Sequence, residues 1–136
     1  MFFKYDDRKA MEIPLPFKRK ITPIMMSDSG MPVPYSVHIT EWDAGCHVDM
    51  HAHSDATEAM YCMSGAGKAF VGGDWYDFVP DSMIVAPEGI EHCIRNTGEH
   101  PLRVLCIFSP PVSADELIAR ALKAINASGD KGNGAE

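Results

Sequence analysis

Apolar and polar residues alternate in short runs through the middle of the chain, from Tyr35 to Phe108. Alternation with a period of two is typical of a half-buried β-strand, whereas a helix repeats every 3.6 residues. Turn-forming residues separate the runs, as at Gly72-Gly73-Asp74, where glycine tolerates a positive φ. The pattern therefore predicts about seven short strands, which is typical of a β-sandwich or a β-barrel.

The first 34 residues have a mixed pattern that is interrupted by proline. Pro14 and Pro16 exclude a helix interior there, because proline lacks a backbone N–H and clashes with the preceding turn. We predict an N-terminal arm with edge strands over residues 1–34. The basic cluster Lys18-Arg19-Lys20 within it is interpreted as a solvated stretch before a strand.

The end of the chain changes to a helical pattern. Ser113 and Glu116 form a capping box, in which each side chain can bond to a backbone amide at the start of a helix. Apolar residues then recur at helical spacing, which predicts a helix over 113–127 that packs on the strands. Gly129 is a candidate stop signal, and the polar tail over 128–136 is predicted to be disordered. The apolar stripe consists of Leu117, Ile118, Ala121, Leu122 and Ile125.

The length and composition indicate one ordinary globular domain. The chain has 136 residues, of which 46% are hydrophobic, and a net charge of -7. An acidic surface repels phosphate groups, so neither a nucleic-acid partner nor an anionic membrane is expected. The four cysteines form no C-x-x-C pair, and the chain shows neither a secretory leader pattern nor an apolar run long enough for a membrane span. A cytoplasmic location is therefore expected.

Three histidines and one glutamate have the spacing of metal ligands. His51 and His53 are two residues apart, and such residues point to the same face of a strand. Glu58 opens the next strand, and His92 follows a turn. A His-x-His pair by itself is also found as a solvated or buried structural pair, but three imidazoles with a carboxylate suit Fe(II), Mn, Ni, Co, Cu or Zn.

These residues also carry a resemblance to the cupin superfamily. The segment from Gly45 to Gly65 reads G-x5-H-x-H-x4-E-x6-G, which resembles the first cupin motif. The segment from Pro87 to Asn96 resembles the second motif, P-x-G-x2-H-x3-N, although Asp81 stands where that motif has an earlier glycine. Aspartate tolerates turn geometry, so the departure is not expected to disturb the fold.

The resemblance implies an all-β cupin fold, which is a jelly-roll barrel or double-stranded β-helix, here over residues 35–110 with one C-terminal helix. The short segment between the motifs is similar to that of small single-domain members. The family pattern implies one divalent transition metal per chain, held at the inner end of the barrel by His51, His53, Glu58 and His92. An octahedral ion would keep two positions for water, dioxygen or substrate.

Other residues are weaker candidates for a site. His47 shares the parity of His51 and is a candidate proton shuttle, although a rim position is equally compatible with the pattern. Substrate-pocket candidates are Met60 and Cys62 as apolar wall, Asn96 by parity with His92, and Arg103 as a carboxylate-binding residue. Asn96 as a turn residue and Arg103 as a surface residue are the alternatives. His38 is expected at the surface or in a loop, and Trp42 in packing.

The fold by itself does not select a function. Our first hypothesis is a metal-dependent enzyme that acts on a small organic substrate as a dioxygenase, decarboxylase or lyase. The alternatives are a non-catalytic small-ligand-binding cupin and a sugar or keto-acid isomerase or epimerase, which would need a base such as His47 or Glu91. We also expect a homodimer, because the N-terminal arm could cover an open sheet edge of a second subunit.

Overall fold

A computed structural model describes residues 1–133, and the side chains of residues 1–123. Short strands account for most of the chain, and they are separated by the turn residues that the sequence pattern indicates. A short 3-10 helix at Asp7–Lys9 precedes them. The strands are β1 (Met11–Ile13), β2 (Arg19–Met25), β3 (Ser36–Trp42), β4 (Thr57–Ser64), β5 (Gly67–Val71), β6 (Asp74–Phe78), β7 (Met83–Ala86), β8 (His92–Arg95) and β9 (Leu102–Ser109).

The strands form two antiparallel sheets, which confirms the predicted all-β fold. One sheet has six strands in the order β1-β2-β3-β9-β4-β7, and the other has three in the order β6-β5-β8. The extended segment 46–53 continues the smaller sheet, because it runs antiparallel to β8 through bridges at His47 and His51. Sequence neighbours such as β3 and β4 are separated by β9, as the crossing connections of a jelly roll require.

Two apolar clusters fill the molecule. The larger cluster joins the facing sides of the two sheets, where alternate residues such as Met60, Cys62, Leu102 and Val104 are buried. The smaller cluster joins the N-terminal strands to the C-terminal helix and includes Ile13, Phe17, Phe108 and Leu117. Burial of alternate side chains on each strand is what the period-two pattern predicts.

The N-terminal arm belongs to the larger sheet. Strand β2 pairs antiparallel with β3, with Arg19 opposite Trp42 and Ile21 opposite Thr40. A shift in register near Pro23 marks an irregularity, as expected where proline cannot donate to a ladder. This pairing brings β2 beside the strands that line the barrel interior, so the arm contributes side chains to the interior.

The C-terminal helix α1 runs from Ala114 to Asn133. The predicted capping box is confirmed: the Ser113 amide donates to the Glu116 carboxylate at 2.8 Å, and the Glu116 amide donates to the Ser113 hydroxyl at 3.1 Å. The helix continues beyond the predicted end at residue 127, through part of the tail that was expected to be disordered. Glycine costs a helix about 1 kcal/mol relative to alanine but keeps its backbone N–H, so Gly129 does not have to end it. Residues 134–136 lie outside the described residues.

No helix within residues 1–133 is both long and apolar enough to cross a membrane. The four cysteines are buried as free thiols, and three of them lie on strands, at positions 62, 93 and 106. Buried free cysteine packs as a small apolar side chain.

Asp81 has a left-handed backbone, with φ 69°, at the turn before β7. It is the one residue other than glycine in that region among residues 1–133. The Tyr61 hydroxyl donates a hydrogen bond to its carboxylate, and its own amide donates to the Cys62 carbonyl at 3.0 Å. Aspartate therefore occupies the turn position that the resemblance assigns to glycine.

Candidate metal centre

Four side chains from three segments converge inside the barrel. His51 and His53 come from the extended segment beside β8, Glu58 from β4, and His92 from the first position of β8. One ligand atom from each of the four lies within 4.8 Å of the others. Glu58 and His92 are buried, and His51 and His53 are partly buried.

Backbone pairing holds the three histidines in register. The His51 amide donates to the His92 carbonyl at 3.1 Å, and the His92 amide donates back to the His51 carbonyl at 2.8 Å. The Gly89 amide donates to the His53 carbonyl at 2.8 Å. Gly89 has φ 79°, a conformation that glycine adopts without strain. The turn before β8 therefore positions both His92 and the His53 backbone.

Two imidazole rings are oriented by backbone carbonyls. Nδ1 of His51 donates to the Asp49 carbonyl at 2.8 Å, and Nδ1 of His92 donates to the Ile90 carbonyl at 3.0 Å. A carbonyl only accepts, so the proton of each neutral ring is held on Nδ1. This leaves Nε2 with a free lone pair on both rings, which is the arrangement that metal-binding histidines require.

The Glu58 carboxylate lies at the centre of the cluster. Its Oε2 is 3.0 Å from Nε2 of His53 and 3.2 Å from Nε2 of His92. Burial raises the pKa of Glu58, but hydrogen bonds from the two histidines outweigh burial and hold the pKa well below its usual range. Glu58 is therefore an anion at neutral pH, as a metal ligand should be.

Burial and the neighbouring charges shift two of the histidines in opposite directions. Burial, with repulsion from His92, lowers the pKa of His51 to about 4, so this ring is neutral at pH 7. Burial also lowers the pKa of His92, but the hydrogen bond to Glu58 and its negative charge outweigh burial, so the net pKa is raised. Nδ1 of His92 already carries a proton, which it donates to the Ile90 carbonyl. The ring would therefore be cationic whenever Nε2 also carries a proton and donates it to Glu58.

The donor set fits a divalent transition metal. Three imidazole nitrogens and one carboxylate oxygen converge from a rigid frame, and their ligand atoms are close enough to share one ion. A buried carboxylate beside a histidine of raised pKa is a site where a bound cation would compete with a proton. The arrangement does not select one metal, since nitrogen and oxygen ligands of this kind suit iron, manganese, nickel and zinc.

Helix α1 supports the cluster from outside the sheets. Arg120 donates to Nδ1 of His53 at 3.3 Å and binds the Asp55 carboxylate with two bonds of 3.1 and 2.9 Å. Its guanidinium also lies 5.5 Å from the centre of the Phe108 ring. These contacts tie the helix to the loop that carries His53.

A cavity of about 70 Å³ adjoins the cluster. About 10–15 Å³ of accessible space is enough to hold one water, so this cavity suits several waters or a small organic molecule. The cavity lies on the inner sides of β2, β3, β4 and β9, and Leu117, Arg120 and Ala121 of α1 cover part of it. Its other lining residues include Arg19, His38, Thr40, Trp42, Met60 and Phe108.

The remaining sequence-predicted site residues have different positions. Met60 lines the cavity, whereas Cys62 is buried in the larger apolar cluster. Asn96 donates to the Trp42 and His100 carbonyls and accepts from the Gly98 amide, so its side chain is fully used in a turn. Arg103 pairs with Glu41 at 3.1 Å on the other side of the sheet. Neither Asn96 nor Arg103 lines this cavity.

His47 also lies outside this cavity. Its Nε2 is 3.2 Å from the Asp49 carboxylate, and its ring packs edge-on against Phe17. Glu91, the other base considered for an isomerase, is exposed. The catalytic role predicted for His47 and the isomerase alternative therefore find no support in these positions.

Two cavity residues were missed in the sequence. His38 was expected at the surface, but it is 3% exposed and stacks on Phe108. Arg19 was placed in a solvated stretch, but it is 7% exposed and lines the cavity. Both residues lie on the buried face of their strands. Arg19 shares this face with Ile21 on β2, and His38 shares it with Thr40 and Trp42 on β3. This two-residue spacing was the sequence signal that could have indicated their burial.

Comparison with curated proteins finds relatives that are named L-ectoine synthase. The protein of Hyphomonas neptunium is 29% identical over 96 residues, which are 69% of this chain and 69% of that protein. The protein of Vibrio campbellii is 30% identical over 84 residues, which are 61% of this chain. The match spans 65% of the Vibrio protein, which is less than two thirds of its length.

Solved structures and a family model agree on the fold. The crystal structure of ectoine synthase from P. lautus superposes with a TM-score of 0.70 and 23% identity, and the match covers 85% of this chain and 78% of that one. The family model described as "Cupin domain" matches residues 38–108, which is more than half of the chain and includes all four residues of the cluster. With its two antiparallel sheets and both motifs in order, this chain belongs to the cupin family.

Proposed function

We propose that this chain is a metal-dependent enzyme that acts on a small organic substrate. The observation that carries the proposal is the convergence of His51, His53, Glu58 and His92 beside a cavity in the barrel. The relatives named L-ectoine synthase support it, because their name describes the formation of a small organic molecule. A perturbed ionisable cluster next to a pocket is also the usual signature of an active site.

The four residues would hold the ion, and the cavity would hold the substrate beside it. A bound divalent metal supplies Lewis-acid chemistry, which polarises a carbonyl or carboxyl oxygen. Backbone carbonyls bind the Nδ1 protons of His51 and His92, so the Nε2 atoms of both rings would be available to hold the ion. Met60, Phe108 and Leu117 exclude bulk water from one side of the cavity, which strengthens electrostatic interactions inside it.

The size of the cavity favours a small substrate. A space of about 70 Å³ suits a compact organic molecule. The two cationic side chains of the lining, Arg19 and Arg120, are not arranged as a phosphate site, because Arg120 is already bound to Asp55. Dioxygenase, decarboxylase and lyase reactions are all compatible with a substrate of this size.

The first test measures metal by inductively coupled plasma mass spectrometry in untagged wild-type protein and in the Glu58→Gln and His92→Ala variants. We expect close to one transition metal per wild-type chain and a loss of at least tenfold in both variants, because each removes one of four ligands. His100→Ala is the matched control, since His100 is exposed. Wild-type protein that binds no metal after incubation with Fe(II), Mn(II), Ni(II) and Zn(II) would contradict the proposal.

A second measurement addresses turnover. The metal-loaded protein is incubated with L-ectoine, and proton NMR follows loss of the ring signals, since an enzyme that forms a compound also catalyses the reverse reaction. Oxygen consumption with a panel of small organic acids is measured in parallel, because a dioxygenase consumes oxygen, whereas a decarboxylase or a lyase does not. Metal bound stoichiometrically without turnover of any compound would favour the non-catalytic small-ligand-binding alternative.

A further inference from the structure

Arg19 is a buried cation on the cavity wall without a carboxylate partner. It is 7% exposed and lines the cavity from β2. None of the ion pairs formed by the described residues includes it. Its one hydrogen bond is a long one, from a terminal guanidinium nitrogen to the Phe17 carbonyl at 3.3 Å.

Such an arrangement is costly for folding alone. A guanidinium has five N–H donors, and most of those on Arg19 have no acceptor among the described residues. Burial without a partner disfavours the charged form, and it lowers the pKa of Arg19 from its usual high value. The other arginine of the cavity, Arg120, is bound to Asp55 by two hydrogen bonds. The contrast indicates that the partner of Arg19 is a ligand, because the described residues supply no carboxylate within ion-pair distance of it.

Two further polar atoms of the lining residues are unpartnered. Nε1 of Trp42 and Nδ1 of His38 are buried and have no hydrogen-bond partner among the described residues. The Arg19 guanidinium carbon lies 5.9 Å from the centre of the Trp42 ring. These three residues come from the paired strands β2 and β3, and all three line the cavity. Buried polar groups are normally satisfied, so a cluster of unsatisfied ones beside a cavity points to a polar ligand.

We propose that Arg19 binds a carboxylate group of the substrate, so that the enzyme acts on a small carboxylic acid. Two parallel N–H···O bonds from a guanidinium match the geometry of a carboxylate. Nε1 of Trp42 is a further donor in the same lining, because this nitrogen can only donate and has no partner among the described residues. The inference rests on the proposed function in taking the bound acid to be the substrate.

A monoanionic carboxylate fits the charge of the cavity better than a phosphate. Glu58 already places one negative charge in the same interior, and this charge acts on Arg19 without direct contact. None of the ion pairs among the described residues includes Arg19. In metal-free protein the charges of Glu58 and Arg19 cancel, so a carboxylate adds one negative charge to the cavity, whereas a phosphate dianion adds two. The substrate would therefore lie between Arg19 and the metal, with its carboxylate toward β2.

The test titrates propionate and its neutral isostere propionamide into 15N-labelled protein, both metal-free and loaded with Zn(II), and follows amide chemical shifts. Wild type is expected to bind propionate at least tenfold more tightly than propionamide. Arg19→Met should weaken propionate at least tenfold and leave propionamide unchanged. Arg103→Met is the matched control, because Arg103 pairs with Glu41 outside the cavity, and its propionate affinity should stay within twofold of wild type.

Thermal unfolding separates binding from a purely structural role. Arg19→Met should raise the Tm, because it replaces an unpaired buried cation with an apolar side chain of similar length. If Arg19 only stabilised the fold, the Arg19→Met substitution would lower the Tm. If Arg19→Met does not give a folded amide spectrum, Arg19→Lys keeps the cation without the bidentate geometry. The Arg19→Lys variant should bind propionate more weakly than wild type does. The same variant should still bind propionate more tightly than it binds propionamide.

Three outcomes would overturn the inference: propionate affinity within twofold of wild type in Arg19→Met, equal affinity of wild type for acid and amide, or tighter binding of inorganic phosphate than of propionate at Arg19. Absence of propionate binding in both wild-type forms would also overturn it. The metal-free arm does not depend on the ion. Propionate binding that requires Arg19 in metal-free protein would therefore survive a failure of the metal proposal, and loss of that binding alone would leave the metal proposal intact.

Discussion

Burial, more than residue type, decides the chemistry of the individual side chains around this cavity. Arg19 and His38 belong to residue types that are usually solvated, yet each is almost fully buried on a strand. Arg103, an arginine with the same intrinsic chemistry, is half-buried on the outer side and pairs with Glu41. The two arginines are therefore expected to behave in opposite ways when they are replaced.

The buried His38 is expected to make metal-free protein sensitive to acid. Burial lowers its pKa from 6.5 to about 4, and the effect of Arg19 opposes that of Glu58. Between pH 6.5 and 4 the unfolded chain binds more protons than the folded chain, so the free energy of unfolding falls as the pH falls through this window. The contribution of His38 to the free energy of unfolding is complete above pH 6.5. By pH 4.5 about 2–3 kcal/mol of this contribution is lost.

Urea denaturation at pH 7.0 and pH 4.5 checks this expectation. His38→Phe keeps a ring against Phe108 but does not titrate, so it should lose less stability between the two pH values than wild type. His100→Ala serves as the control and should follow wild type, because an exposed histidine changes little on folding. Equal losses in wild type and His38→Phe would show that His38 does not carry this pH dependence.

At the scale of elements, turns and helix caps could be predicted from the sequence where the residue type itself determines the backbone conformation. The departure from the cupin pattern at Asp81 was expected to be tolerated, and its φ of 69° shows an aspartate in the left-handed region. The Ser113 and Glu116 cap was likewise predicted from local spacing and is confirmed. The end of α1 was predicted too early, because a single glycine weakens a helix without having to end it.

The turn before β7 gives a stability prediction. Asp81→Ala and Asp81→Gly both remove the hydrogen bond from Tyr61, so the difference between them isolates the backbone. Alanine should be less stable than glycine by about 1 kcal/mol, since a Cβ is disfavoured at positive φ. Chemical denaturation of both variants measures the difference, with Tyr61→Phe as the control for the lost hydrogen bond. Equal stability of the two variants would contradict the backbone argument.

A turn with a close backbone approach explains the glycines at the end of β4 and the start of β5. A Cβ on Gly65 would lie 2.5 Å from the Pro101 carbonyl oxygen, and one on Gly67 would lie 2.2 Å from the Arg95 carbonyl oxygen. Real Cβ atoms do not approach this closely. Gly65 is part of the first motif, and the structure shows that it serves packing between strands and not the metal cluster.

At the scale of the whole molecule, the barrel closes over residues that are distant in sequence. His51 and His92 are adjacent through a β-bridge, while β2 and α1 bring opposite ends of the chain to one cavity. An unfolded chain cannot present such a cluster to one ion, so metal binding at the proposed site would be coupled to folding. The predicted homodimer is a question at this scale and stays a prediction.

Metal is therefore expected to raise the Tm of the wild-type protein. A ligand that binds only the folded state stabilises it by about 2.7 kcal/mol at a free concentration of 100 times Kd. Differential scanning fluorimetry with Zn(II) or Mn(II), and then with excess chelator, measures the shift. Glu58→Gln should show a much smaller rise, and His100→Ala should match wild type. A Tm that is unchanged by every metal would argue against a site formed on folding.

The sequence by itself determined the all-β class, the cupin motifs, the capped C-terminal helix and the four candidate ligands His51, His53, Glu58 and His92. These features depend on local spacing: a period of two, a turn residue, or two histidines on one face. Only the tertiary structure decided the rest. Whether an arginine on an alternating strand faces solvent or a cavity depends on what covers that face. Pairing of β2 with β3 and packing of α1 cover Arg19 and His38. The local sequence pattern does not show which distant strand or helix covers a given face of a strand.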